Sequence, residues 1–246
     1  MKHYTAAVFD LYGTLTDVLT DEEAGETWVT FSAYLTENGM PCTAAEARRV
    51  FTSAKTKLEL QPSHFQYPEH DILPAFLEVC RAKRPDADEE TAWEAGEYFR
   101  KCALRRLKLY PHTLKVLCEL KKQGIRLFML TNAQAVYTRQ EIRRLGLYEL
   151  FDAVYISSEC GCMKPDPAFF ERLISEQGLI REETLMIGND PFSDAGVAQA
   201  CGVDCAFLNT DGRQGKMPEC EYIYPDGDIL HVLELFPVKN GDSRDV

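Results

Sequence analysis

No stretch of these 246 residues is both long and apolar enough to cross a bilayer as a helix. Basic charge is also scarce: 27 Lys and Arg stand against 39 Asp and Glu, a formal net charge of −12. That leaves no general basic footprint for nucleic acid or an anionic membrane surface. An anionic small-molecule substrate then needs a local cationic pocket, because the global field repels it. Cysteine lacks pattern rather than number. The nine copies are scattered, with Cys160 and Cys162 flanking Gly161, and Cys201 and Cys205 nearby. A zinc site calls for four ligands in recognisable close spacing, and no His partners lie near these pairs. The thiols read as reduced, small apolar side chains of a cytoplasmic protein. The opening segment, MKHYTAAVFD, has too short an apolar run for a signal peptide and ends in a carboxylate. Internal repeats and low-complexity segments are lacking too. The length suits one large domain or two unequal ones, in a monomer or homodimer.

What is present is a change of pattern along the chain. Thr5 to Phe9 is apolar without alternation, as in a strand buried on both faces, and it runs into Asp10. From about Asp21 to Arg106 the spacing is helical and calls for no strand. Glu22 to Asn38 closes on Gly39, and Thr43 with Glu46 forms a capping-box signature that opens a helix to Leu58. Pro62 to Pro68 reads as a loop, followed by helices over Asp71 to Arg84 and Asp88 to Leu109. After Pro111, strands and helices alternate. The strands are Arg126 to Leu130, Ala153 to Ile156, Leu185 to Ile187, Cys205 to Leu208 and a short Tyr222 to Tyr224. Helices over Thr113 to Gln123, Ala135 to Leu145, Pro167 to Gln177 and Asp194 to Cys201 separate them. The tail from Lys239 to Val246 is polar and reads as frayed.

This pattern predicts an α/β fold: a doubly wound parallel sheet, Rossmann-like, with an inserted all-helical domain. The core comprises residues 1–18 and 107–246, and the insertion residues 19–106. Ligands of open parallel sheets bind beyond the carboxyl ends of the strands, where the insertion is placed to act as a lid.

Four such ends carry reactive side chains. The first supplies Asp10, Tyr12 and Thr14 from FDLYGTL; the second supplies Thr131 and Asn132 from LTNA. Lys164 follows the third in KPD, and Asn189, Asp190 and Asp194 follow the fourth in GNDPFSD. Singly, each has a bland reading: Lys164 as a surface lysine before a turn, Thr14 as a turn residue, Asp194 as a helix N-cap. Together they bring a carboxylate nucleophile, hydroxyls, a cation and a carboxylate cluster to one crevice.

Those four motifs, in that order and spacing, resemble the haloacid dehalogenase superfamily over essentially the whole chain. The resemblance implies roles. Asp10 is the nucleophile, forming an acyl phosphate or alkyl ester. Thr131 and Asn132 bond the anion or orient Asp10. Lys164 neutralises negative charge and holds Asp10 ionised. Asn189, Asp190 and Asp194 hold Mg²⁺ with Asp10 and the Tyr12 main-chain carbonyl.

The chain departs from the family pattern at two places. Phosphatases of the superfamily carry a second aspartate two positions after the nucleophile, as general acid and base; here Tyr12 stands there. Tyrosine in D-x-Y-G-T resembles the metal-independent 2-haloacid dehalogenases, yet their Ser-x-Asn in the fourth motif is replaced by Asn189 and Pro191. Three readings follow, in this order: a Mg²⁺-dependent phosphatase of a small phosphorylated metabolite, a 2-haloacid dehalogenase, and a catalytically weak binding or regulatory relative. In the insertion, Trp28, Phe31, Arg48, Arg49, His64, Tyr67 and His70 are candidate substrate contacts. Arg48 and Arg49 equally fit a solvated face, and Trp28 and Phe31 fit a core.

Overall fold

The computed structural model describes residues 2–236; the polar tail lies outside them. The core is a six-stranded, all-parallel sheet. Its strands are β1 (Ala6–Phe9), β4 (Arg126–Thr131), β5 (Ala153–Ile156), β6 (Thr184–Gly188), β7 (Asp204–Leu208) and β8 (Tyr222–Tyr224), in the order β5-β4-β1-β6-β7-β8. All four residues of β1 are buried, as its unbroken apolar run requires of a central strand covered on both faces. The covering helices are α5 (Thr113–Lys122), α6 (Ala135–Arg144), α8 (Pro167–Gln177) and α9 (Asp194–Cys201), with a single turn, α7 (Ser157–Cys160), after β5. Phe9 pairs in register with Met129 on one side and Ile187 on the other. Asp10, the end of β4 and the end of β6 therefore reach the same sheet edge together.

Between β1 and α5 the chain forms four helices: α1 (Gly25–Glu37), α2 (Ala44–Glu59), α3 (Leu73–Arg81) and α4 (Glu89–Ala103). Thr43 and Glu46 close the expected capping box at α2, and Asp88 caps α4 by accepting the Thr91 N–H. Trp28, Phe31, Phe51, Phe76 and Phe99 pack into a separate core, which Val136 and Tyr137 of α6 complete from the sheet side. Trp28 and Phe31 are thus packing residues. Arg48 and Arg49 lie on the exposed side of α2, where Arg48 pairs with Glu23.

One expectation is corrected. The helix read to Leu109 ends at Ala103, and Leu104–Leu109 is a strand, β3, antiparallel to β2 (Thr16–Thr20). This two-stranded ribbon carries the chain out to the helical insertion and back. Its stability comes from cross-strand pairing, to which the local helical pattern is blind.

Among the described residues no helix is long and apolar enough to cross a membrane. The nine cysteines form no disulfide.

Candidate active site

Lys164 sits at the centre of the site, 2% exposed. Its Nζ donates to Asp10 Oδ1 at 2.8 Å, Asp194 Oδ1 at 2.6 Å and the Leu130 carbonyl at 2.7 Å, so all three ammonium hydrogens are used. Burial alone would lower the lysine pKa, but the two carboxylates outweigh it and the net direction is up. One cation shared between two buried carboxylates leaves a deficit. Burial pushes the Asp194 carboxyl up to about 6; Lys164 pulls against this and the charge of Asp10 adds to it.

Asp194, for which a helix N-cap was the bland reading, is the first residue of α9, and its carboxylate points back to the preceding loop. Its Oδ2 accepts the N–H groups of Asn189 at 3.0 Å and Asp190 at 2.9 Å. Gly188 makes this possible, since a Cβ there would overlap the Asp194 carboxyl. Gly13 is likewise confined: it holds φ +86°, and a Cβ would lie 2.5 Å from Asn189 Nδ2. The tight turn after Asp10 and the loop after β6 are therefore fitted against each other.

Thr14 bridges them. Its Oγ1 lies 3.0 Å from Asp10 Oδ2 and 3.3 Å from Asn189 Oδ1. Thr14 thus orients Asp10, a part expected of Thr131. The Thr131 hydroxyl is buried with no hydrogen-bond partner among the described residues. Asn132 clasps the main chain of Lys164, donating to its carbonyl and accepting its N–H, both at 2.8 Å. It thereby holds the main chain that carries the cation.

Tyr12 turns away from Asp10. Its hydroxyl donates to Glu141 and lies 3.1 Å from Thr138 Oγ1. Burial and then the Glu141 charge raise its pKa well above the ordinary phenol value. Arg100 completes this cluster, donating to Glu141 at 2.6 Å and to Glu22 at 3.4 Å, with its guanidinium over the Tyr12 and Tyr137 rings.

A cleft of about 480 Å³ opens between the helical insertion and the sheet edge. Tyr12, Asn132 and Met163 line its floor; Lys55, Glu69 and Arg100 are among its walls. Of the candidate insertion contacts, His70 lines the cleft, whereas His64 packs tilted against Phe65, and Tyr67 meets the exposed Phe192 edge-on. Sequence reasoning did not single out Glu69, Arg100, Gln134, Tyr137 or Glu141. Arg100 and Glu141 sit in helices of mixed charge, and nothing local distinguishes them from solvated faces.

Among the described residues, no three His, Cys, Asp or Glu side chains converge as a metal cage. The donors available to a cation are the Asp10 carboxylate, the Asn189 amide oxygen and the Tyr12 carbonyl, which accepts no hydrogen bond from the described residues. This all-oxygen set and the local excess of negative charge fit Mg²⁺. Asp190 does not add to it: Oδ1 accepts the Phe192 and Ser193 N–H groups and Oδ2 pairs with Arg213 at 3.2 Å.

A parallel α/β core with a helical insertion over its carboxyl edge, and a buried Asp–Lys–Asp cluster at that edge, define a hydrolase class. The chain belongs to the haloacid dehalogenase-like hydrolases, whose family profile matches residues 4–202. It is 33% identical to the phosphoserine phosphatase of Thermus thermophilus, over 60% of this chain and 57% of that one. It is 36% identical to the glyceraldehyde 3-phosphate phosphatase of Methanocaldococcus jannaschii, over 56% and 60% of the respective chains. The chain thus spans less than two thirds of the length of these relatives. In fold it is similar to the crystal structure of 2-haloacid dehalogenase from Pseudomonas syringae pv. tomato, with a TM-score of 0.64, 20% identity, and coverage of 94% of this chain and 99% of that one.

Proposed function

We propose that this protein is a Mg²⁺-dependent phosphatase of a small phosphorylated metabolite, acting through an ester on Asp10. A carboxylate oxygen of Asp10 bonds to phosphorus while the phosphorus–alcohol bond breaks, and the leaving oxygen takes a proton. Water then cleaves the acyl phosphate, releasing inorganic phosphate and restoring the carboxylate. Thr14 orients the nucleophile, and Asn132 and Asp194 hold Lys164 where it keeps Asp10 ionised. Mg²⁺, held by Asp10, Asn189 and the Tyr12 carbonyl, would offset charge on the phosphoryl oxygens.

The observation that carries this reading is the single buried cation between Asp10 and Asp194. The two carboxylates leave the site one positive charge short, and a divalent ion beside hard oxygen donors would turn that deficit into a net positive charge facing the phosphate. A haloacid would need a cation for its own carboxylate; of the two in the cleft wall, Arg100 is already bonded to Glu141 and Glu22, and Lys55 pairs with Glu59 at 3.7 Å. The two curated relatives named above, at 33% and 36% identity, are phosphatases. Tyr12 favours the second reading, a 2-haloacid dehalogenase.

One panel separates them: phosphate release from p-nitrophenyl phosphate and acetyl phosphate with and without Mg²⁺, beside halide release from 2-chloropropionate. Asp10→Asn serves as the control. Mg²⁺-dependent phosphate release that vanishes in Asp10→Asn is the expected result. Metal-independent halide release lost in the same variant would overturn the reading.

A further inference from the structure

A phosphate monoester of an ordinary alcohol leaves slowly unless its oxygen is protonated, and position 12 carries no acid. We propose that Glu69, on the loop between α2 and α3, is the proton donor to the leaving alcohol and the base that takes a proton from water in the second step. This rests on the phosphatase reading.

Three features place Glu69 for that work. First, it lines the same cleft as Tyr12, Asn132 and Met163, the neighbours of Asp10 and Lys164. Second, its loop is stapled to the sheet edge. The Glu69 N–H donates to the Gly161 carbonyl at 3.1 Å, and the Met163 N–H to the Tyr67 carbonyl at 3.0 Å. Gln134, the residue preceding α6, holds the other side, donating to the His70 carbonyl at 3.0 Å and accepting the Ile72 N–H at 3.0 Å. A carboxyl fixed in this way needs little reorganisation to meet a substrate oxygen.

Third, the hydrogen bonds around it leave room for one further proton. Glu69 Oε1 accepts from Gln134 Nε2 at 2.8 Å, while Oε2 lies 3.1 Å from Ser157 Oγ. That hydroxyl already accepts the Ala133 N–H at 2.8 Å, and it lies 3.1 Å from the Ala133 carbonyl as well. One hydroxyl hydrogen cannot serve both acceptors. With Glu69 ionised, the Ser157 hydrogen goes to Oε2 and the Ala133 carbonyl keeps the Ser158 N–H at 3.2 Å; with a proton on Oε2, donated to Ser157, the Ser157 hydrogen turns to Ala133. The arrangement accommodates Glu69 in either protonation state, as an acid that becomes a base must be. Burial, the largest effect, raises the carboxyl pKa; the bonds from Ser157 and Gln134 and the charge of Lys55 oppose this, and Asp71 adds to it.

The proton ledger closes over one turnover. Glu69 gives its proton to the departing alcohol oxygen as the Asp10 ester forms. The ionised carboxylate then removes a proton from the attacking water as inorganic phosphate leaves.

The test is leaving-group dependence in Glu69→Gln. For glycerol 3-phosphate, whose alkoxide needs protonation, kcat/KM falls about 10²–10⁴-fold relative to its value for p-nitrophenyl phosphate in the same variant. The decline of wild-type glycerol 3-phosphate turnover as pH rises through the Glu69 pKa disappears in the variant. Should Glu69→Gln fail to fold, Glu69→Ala with added formate gives the same answer, formate restoring glycerol 3-phosphate turnover. An unchanged ratio between the two substrates, or absence of formate rescue, overturns the assignment. Absence of phosphate release from p-nitrophenyl phosphate by the wild-type protein overturns the phosphatase reading itself.

Discussion

Replacing Lys164 by methionine removes the ammonium but keeps most of the buried aliphatic stem, so the effect reports charge rather than volume. Asp10 and Asp194 then lie buried beside one another without their shared cation, and the Leu130 carbonyl loses its donor. Breaking a buried ion pair from one side costs about 3–5 kcal/mol. For a chain of this size each kcal/mol moves Tm by roughly 2–4 °C, so Lys164→Met melts roughly 6–20 °C lower. Melting followed by circular dichroism in EDTA, which keeps adventitious metal from replacing the lost charge, measures this. A second substitution checks the cause. Asp10→Asn removes one of the two carboxylates, so the double variant is more stable than Lys164→Met alone by about 1–3 kcal/mol. A Tm for Lys164→Met within about 2 °C of wild type would refute the reasoning, since it implies well under 3 kcal/mol. So would simple additivity of the two substitutions.

Two further outcomes follow from the same geometry. Gly188→Ala forces the Asp194 carboxyl off the Asn189 and Asp190 N–H groups, and urea unfolding at neutral pH shows a loss of at least about 2 kcal/mol. Tyr137→Phe removes a fully buried hydroxyl that has no partner among the described residues, so the midpoint rises, by about 1 kcal/mol; a fall of that size would mean the hydroxyl is satisfied.

The features that proved legible were those where sequence neighbours are also structural neighbours. β1, β4 and β6 are buried apolar runs, and each is followed at once by the polar residues of its motif. The order of those motifs therefore gave both the parallel sheet and the edge where Asp10, Lys164 and Asp194 meet. Roles within the site were less legible, because they depend on which atom faces which. Asn132 turned out to hold the backbone of Lys164, and Thr14, instead of Thr131, bonds Asp10. Non-local pairings left no local trace. The β2–β3 ribbon joins segments separated by the whole helical insertion, and LRRLKL simply continues a helical run when read alone. Arg100 and Glu141 become a part-buried pair only when α4 packs on α6. Glu69 sits in a segment read as an irregular loop, and its significance appears only through Gln134, Ser157 and Gly161.

The central claim is that Asp10 carries the transferred group. Acid quenching during turnover of acetyl phosphate with Mg²⁺, followed by peptide mass analysis, tests it most directly. One added phosphoryl group is expected on the peptide containing Asp10, absent from Asp10→Asn. Turnover with a phosphoryl group on another residue, or with phosphate release undiminished in Asp10→Asn, would contradict it.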